Sequence, residues 1–107
     1  MKWLLVVHTD CADPAREKEF NEWYDKIHLP CVLETPGFVR ATRYVNTEPN
    51  AGPGKFMATY EIESDDINKT MATLEESTAK WREQGLLSAL LVLVSMATYR
   101  QISSLTS

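Results

Sequence analysis

The chain predicts an α+β fold of order β-α-β-β-α-β, in which two helices cover one face of a four-stranded antiparallel sheet. Three features carry this. Two segments have helical apolar periodicity, two alternating segments flank a loop dense in Pro, Gly and Asn, and Val/Leu-rich runs stand near both ends. With 107 residues, 44% hydrophobic and 24% charged, residues 1–107 make one ordinary domain, too short for two cores.

The first run, Lys2 to Thr9, is bounded by the turn-forming Asp10 to Pro14 and reads as a buried strand. Asp13-Pro14 supplies an N-cap and a favoured first helical residue, and Glu17 and Glu19 suit the positive end of the helix. Phe20, Trp23, Tyr24 and Ile27 recur at i, i+3, i+4, i+7, and His28 continues that stripe. Pro30 disfavours helical geometry at Leu29, so helix one is expected over Pro14 to His28. A short helical turn through Cys31 to Glu34 follows, stopped by Pro36-Gly37.

Phe38 to Asn46 alternates, with Val39, Ala41 and Val45 on one face and Phe38, Arg40, Thr42 and Tyr44 on the other. Thr47 to Gly54 is a hairpin loop, and Lys55 to Glu63 alternates again. Matching the apolar faces sets Ala41 opposite Tyr60 and Arg40 opposite Glu61, which puts Arg43 on the apolar face beside Ala58 and Tyr60. Ser64 and Asp65 can cap a second long helix with an inward stripe of Ile67, Met71, Leu74, Thr78 and Trp81, and with Lys69, Glu75, Glu76 and Lys80 toward solvent. Gly85 is its expected C-cap. Leu86 to Leu91 has no clear period and its conformation stays open; Val92 to Ile102 reads as the last strand, before a polar, fraying tail. This is the ferredoxin-like unit. Its helix-free face would carry Phe38, Tyr44 and Met57, and covering them points to a homodimer.

A formal charge of -4, with no basic block, argues against nucleic acid as a partner. The apolar run Trp3 to Val7 is too short for a signal peptide or membrane span, so a cytoplasmic protein is expected. Cys11 and Cys31 form no CxxC pair and stand apart from clustered histidines, which reads as two reduced thiols and no metal site. GxGxxG, P-loop, HExxH and GxSxG motifs are absent, removing dinucleotide, triphosphate, zinc-protease and serine-hydrolase readings.

The segment Glu19 to Phe38 holds the candidate site. His28 in a last helical turn can simply donate to a free carbonyl and gain from the helix dipole. Beside Trp23 and Tyr24 on a buried face, it equally has the makings of an acid or base in a pocket. The dipole favours the protonated ring and desolvation opposes it, so the sign of the pKa shift stays open.

The run EFNEWYDKIHLP, then PGFVRATRY and FMATYEIES, resembles the EthD-like branch of the dimeric α+β barrel superfamily. Its most specific part is Trp23, Tyr24, His28, Leu29 and Pro30, followed by Pro36-Gly37 and Arg43-Tyr44. The resemblance implies a homodimer with facing sheets and a cavity between helices and sheet in each protomer. It also implies relatives among cofactor-free isomerases, cyclases, dehydratases and oxygenases acting on aromatic or polyketide-like compounds. The expected catalytic set is His28, Arg43 and Tyr60: an imidazole to move a proton, a guanidinium to hold a carboxylate or enolate, and a phenol to donate. Trp23, Tyr24, Trp81 and His8 are candidate substrate-binding residues, although His8 matches no family motif. No cofactor is expected; haem, which some such barrels hold through a histidine, would have only Arg43 and Arg40 as propionate partners. The two function classes are proton-transfer chemistry (isomerisation, cyclisation or dehydration) on an apolar ring-bearing molecule, or a binding or stress-associated module using the same pocket without turnover; a cofactor-free oxygenase on the same scaffold is the further alternative.

Overall fold

A computed structural model describes residues 1–48 and 50–107. The chain runs β1 (Lys2–Cys11), a 3₁₀ turn (Pro14–Arg16), α1 (Glu17–Trp23), a π-helical turn (Tyr24–His28), α2 (Leu29–Leu33), β2 (Phe38–Val45), β3 (Phe56–Glu63), α3 (Ile67–Glu83) and β4 (Leu91–Arg100). The strands form one antiparallel sheet of order β2-β3-β1-β4. Both helical segments pack on the same face, where Phe20, Tyr24, Leu74 and Trp81 meet Leu5, Val7, Ala58 and Tyr60 in the core. This is the predicted ferredoxin-like α+β arrangement. Of the expected hairpin loop Thr47 to Gly54, Pro49 lies outside the described residues.

Arg40 pairs with Glu61, Ala41 with Tyr60 and Arg43 with Ala58, the register that the apolar faces demanded. Before Arg40 the pairing shifts: Phe38 sits opposite Ile62, and Val39 is left as an extra residue. That bulge reverses the alternation, so Phe38 turns into the core against Tyr60 while Val39 is 66% exposed. The expectation that Phe38 lies on the helix-free face is therefore corrected, and Tyr44 and Met57 remain there.

The larger correction concerns the first helix. It does not end at His28, because the chain stays helical to Leu33. Pro30 lacks an N–H, and its ring crowds the carbonyl four residues back, so an α-helical ladder cannot run through it undisturbed. The chain inserts one wider turn instead, with the Leu29 N–H bonding the Tyr24 carbonyl five residues back. The ladder then restarts, and Pro30 falls in the first turn of α2, where proline is tolerated. The extra residue rotates the apolar stripe: Ile27, expected inside, is 41% exposed, and His28 takes the inward place.

Other local signals act as expected. The Asp13 side chain accepts from the Ala15 N–H at the 3₁₀ turn, and Gly85 closes α3 with φ of 72°. Asp66, rather than Ser64 or Asp65, caps α3 by accepting from the Lys69 N–H, while the Ser64 hydroxyl accepts from the Asp66 N–H. Of the open stretch Leu86 to Leu91, residues 86–90 are an irregular connection that buries Leu90, and Leu91 opens β4. No described helix is long and apolar enough to cross a membrane.

Gly37 joins α2 to β2 with φ of 93°, and its carbonyl accepts from the Glu63 N–H at 2.8 Å. A Cβ there would lie 2.8 Å from the Glu63 carbonyl oxygen, which belongs to backbone and cannot swing away. Gly37→Ala should therefore lower unfolding free energy by about 2 kcal/mol or more, combining left-handed strain with the clash. Urea denaturation measures this, and a loss below a few tenths of a kcal/mol would contradict the close approach.

Candidate functional site

Between α3 and the sheet lies a cavity of about 810 Å³, lined by residues from β1, β3, β4, the π turn, α2 and α3. Its floor is Leu5, Val7 and Thr9 of β1 with Tyr60 of β3, all on the helix-facing side by strand alternation. Tyr24 and His28 enter from the π turn, and Met71, Leu74, Thr78 and Trp81 from the predicted inward stripe of α3. Leu93 and Met96 of β4 form a wall that is more than half exposed, so the cavity opens toward the sheet edge. Glu75 and Arg82 are charged residues at its rim.

His28 is the centre of an aromatic cluster. Its ring stacks on Trp23 at 4.8 Å and meets Tyr24 edge-on at 4.9 Å and Trp81 edge-on at 6.0 Å. Residues 23 and 28 are five apart, a separation that the π turn brings onto one face. The Trp23 Nε1–H donates to the Leu86 carbonyl at 2.9 Å, which pins the indole under the imidazole. Among the described residues none hydrogen-bonds to the His28 ring.

Burial, with the Arg43 cation as a smaller cause in the same direction, pushes the His28 pKa down to about 4. The opposing dipole effect expected from a terminal turn is removed, since the helix runs on to Leu33. Burial raises the Tyr24 and Tyr60 phenols above the ordinary range, Tyr60 by far the more, with Tyr24 beside it adding to the rise. At neutral pH the site therefore presents one unprotonated imidazole and two phenols that keep their protons.

Arg43 lies behind this cluster, not in the cavity. Its guanidinium sits 4.3 Å from the Tyr24 ring centroid, donates to Asn21 Oδ1 at 2.8 Å and pairs with Asp25 Oδ1 at 3.0 Å. Arg43 was expected to hold a substrate oxyanion, but it does not line the cavity: its Nη1 and Nη2 are turned to Asp25 and Asn21, while its buried Nε has no partner among the described residues. Arg40 points to the helix-free face and pairs with Glu61 at 3.8 Å, so neither arginine considered as a propionate partner lines the cavity.

His8 is also corrected. It pairs with Met57 and Ser95, two positions on the helix-free face, because Leu5, Val7 and Thr9 take the other side of β1. It does not line the cavity. Tyr60, Tyr24, Trp81 and His28 are brought together, with Trp23 as the surface beneath His28. Sequence reading missed Thr9 and the rim residue Arg82. Thr9 gave a usable signal, since it is a polar residue in phase with Leu5 and Val7 on a strand.

The chain is similar over almost its whole length to solved structures of this fold. It matches an EthD family protein from Bacillus halodurans C-125 at 15% identity and TM-score 0.59, covering 95% of this chain and 99% of that one. It matches SnoaB, a cofactor-independent oxygenase from Streptomyces nogalater, at 15% identity and TM-score 0.64, covering 99% and 98%. The ActVA-Orf6 monooxygenase of Streptomyces coelicolor, in complex with nanaomycin D, matches at 21% identity and TM-score 0.61, covering 98% and 91%. The fold is thus the ferredoxin-like one shared by EthD-type and antibiotic-biosynthesis-monooxygenase-type α+β barrels, as the resemblance implied. No family model and no curated protein matches the chain.

The depressed His28 pKa ties stability to pH. An unfolded imidazole titrates near 6.5, so between there and about 4 the unfolded chain binds a proton that the folded chain refuses. The stability is whole above pH ~6.5 and falls by up to roughly 3 kcal/mol as pH drops to ~4. NMR titration of the His28 ring should place its midpoint near 4. His28→Gln should remove this part of the acid sensitivity; a wild-type midpoint at or above 6.5 would refute the buried, neutral ring.

Proposed function

We propose that this protein is a small-molecule enzyme in which neutral His28 takes a proton from an apolar, ring-bearing aromatic or polyketide-like substrate held in the cavity. The observation that carries the reading is one unprotonated imidazole set beside two phenols that stay protonated, all facing an apolar cavity. Such a set separates roles: His28 accepts, while Tyr60 and Tyr24 can donate to the oxygen on which charge develops. A base with so low a pKa is ready at neutral pH but weak. The anion forming beside it raises its proton affinity during the transfer, and the low dielectric of the aromatic cluster strengthens that attraction. Trp23 and Trp81 limit how the ring can turn, and Arg43 supports Tyr24 from behind. The chemistry needs no cofactor.

The fate of the anion after proton removal divides the possible reactions. Reprotonation at another carbon is isomerisation, and attack on an internal carbonyl with subsequent loss of water is cyclisation and dehydration. A second reading, cofactor-free oxygenation, is favoured by the likeness to SnoaB and the ActVA-Orf6 monooxygenase. There the anion left by the same deprotonation would give electrons to dioxygen. A hydroxyanthrone probe separates the two, since only oxygenation consumes dioxygen. A binding module without turnover would leave the probe unchanged.

His28→Gln keeps a polar side chain but cannot shuttle a proton, and turnover should fall by about 10²- to 10⁴-fold with the melting temperature retained. Wild-type turnover in that variant would exclude His28 as the base. Assembly is the second expectation. Tyr44, Met57 and Tyr99 lie on the helix-free face, and a homodimer that covers it is the proposed state. Sedimentation at micromolar concentration should give twice the chain mass of 12.2 kDa, and a single species at that chain mass would rule the dimer out.

A further inference from the structure

Thr9 is 1% exposed, yet it lines the cavity beside Leu5 and Val7. Among the described residues nothing hydrogen-bonds to its hydroxyl. The helical threonines differ: Thr70, Thr73 and Thr78 each return their hydroxyl to a carbonyl four residues back. Thr35 differs in another way, since its hydroxyl oxygen is sealed in the interior without a partner, whereas Thr9 stands at the cavity wall. A buried hydroxyl without a protein partner costs stability, and valine has nearly its shape without that cost. An unpaired donor and acceptor facing an apolar cavity is therefore a place for a ligand oxygen.

The backbone holds this hydroxyl in place. Thr9 pairs with Leu93 while His8 pairs with Ser95, so Val94 is an extra residue that bulges β4 at this point. On the other side, a Cβ on Gly54 would lie 3.0 Å from the Thr9 carbonyl oxygen, so the loop before β3 closes tightly on the strand.

Position along the strand adds a length. Leu5 is the cross-strand partner of Tyr60, and Thr9 is four residues further on. At the rise of a β-strand the two levels are ~13 Å apart. Between them the cavity floor is Val7, with Leu74 and Leu91 also lining the space.

We propose that Thr9 is a substrate-binding residue. Its hydroxyl hydrogen-bonds a hydroxyl or carbonyl oxygen at the far end of an elongated, oxygenated ring compound whose other end lies at His28, Tyr24 and Tyr60. This rests on the reading of the cavity as a ring-binding site and adds the substrate's length and its second oxygen.

The test titrates two probes into the full-length protein and follows quenching of Trp23 and Trp81 fluorescence. Anthraflavic acid is a linear tricycle with a hydroxyl at each end, and β-naphthol spans one end only. Thr9→Val should weaken anthraflavic acid binding by about 5- to 10-fold, the worth of one neutral hydrogen bond. It should leave β-naphthol binding unchanged, and Thr9→Ser should restore the difference. The melting temperature of Thr9→Val should equal or exceed that of wild type, since no protein hydrogen bond is lost. Equal weakening of both probes, no change in either, or a fall in melting temperature would overturn the role of Thr9 while leaving the ring-binding site standing. Wild type that binds neither probe would overturn both.

Discussion

The site depends on the single π-helical turn from Tyr24 to His28. A proline at position 30 leaves the helix three outcomes: end, kink, or absorb the missing donor by widening. Widening keeps the segment helical to Leu33, which keeps the imidazole away from a helix terminus and from solvent. It also brings residues 23 and 28 into register, so that the indole becomes a platform for the imidazole. One backbone adjustment thus sets both the direction of the His28 side chain and the environment that keeps it neutral.

Charge is arranged around that ring without touching it. Arg43 is fixed by Asn21 and Asp25 and lies against the Tyr24 ring, which His28 also meets edge-on, so its field reaches the imidazole without a direct contact. It disfavours the imidazolium, as desolvation does, and it opposes the rise in the phenol pKa values that burial causes. Desolvation is the larger cause at all three groups. A resting site of this kind is uncharged, which suits an apolar substrate, and it becomes charged only as a proton moves.

Two bulges complete the geometry. The extra residue at Val39 turns Phe38 into the core beside Tyr60, and the extra residue at Val94 fixes Thr9 against β4. Both sit on a sheet whose β1 carries cavity floor on one side and His8 on the other, so a shift of one residue would exchange Thr9 for His8. The exposed apolar residues of β4 show where the fold is least closed.

Element order, the β2–β3 register, the caps at Asp13 and Gly85, and the meeting of His28 and Tyr24 with Tyr60 on the helix-facing side of the sheet were legible in the sequence, whereas the joining of Arg43 to that cavity was read there and is not found. The legible features arise from period, turn chemistry and matching of apolar faces, which are local or pairwise properties. Tertiary structure decided what depends on insertions of one residue. Proline at 30 was legible, but whether the helix would stop or widen turned on the gain from burying Leu29, Cys31 and Val32 against the core, which no local pattern contains. The bulge at Val39 reassigned Phe38 for the same reason, since Ile62 and Tyr60 offered it a buried site. The role of Arg43 was hidden because its face was predictable and its partners were not: Asn21 and Asp25 come within reach only when the first helix packs across β2. The sign of the His28 shift likewise required knowing that desolvation acts there without an opposing helix end, a fact of packing alone.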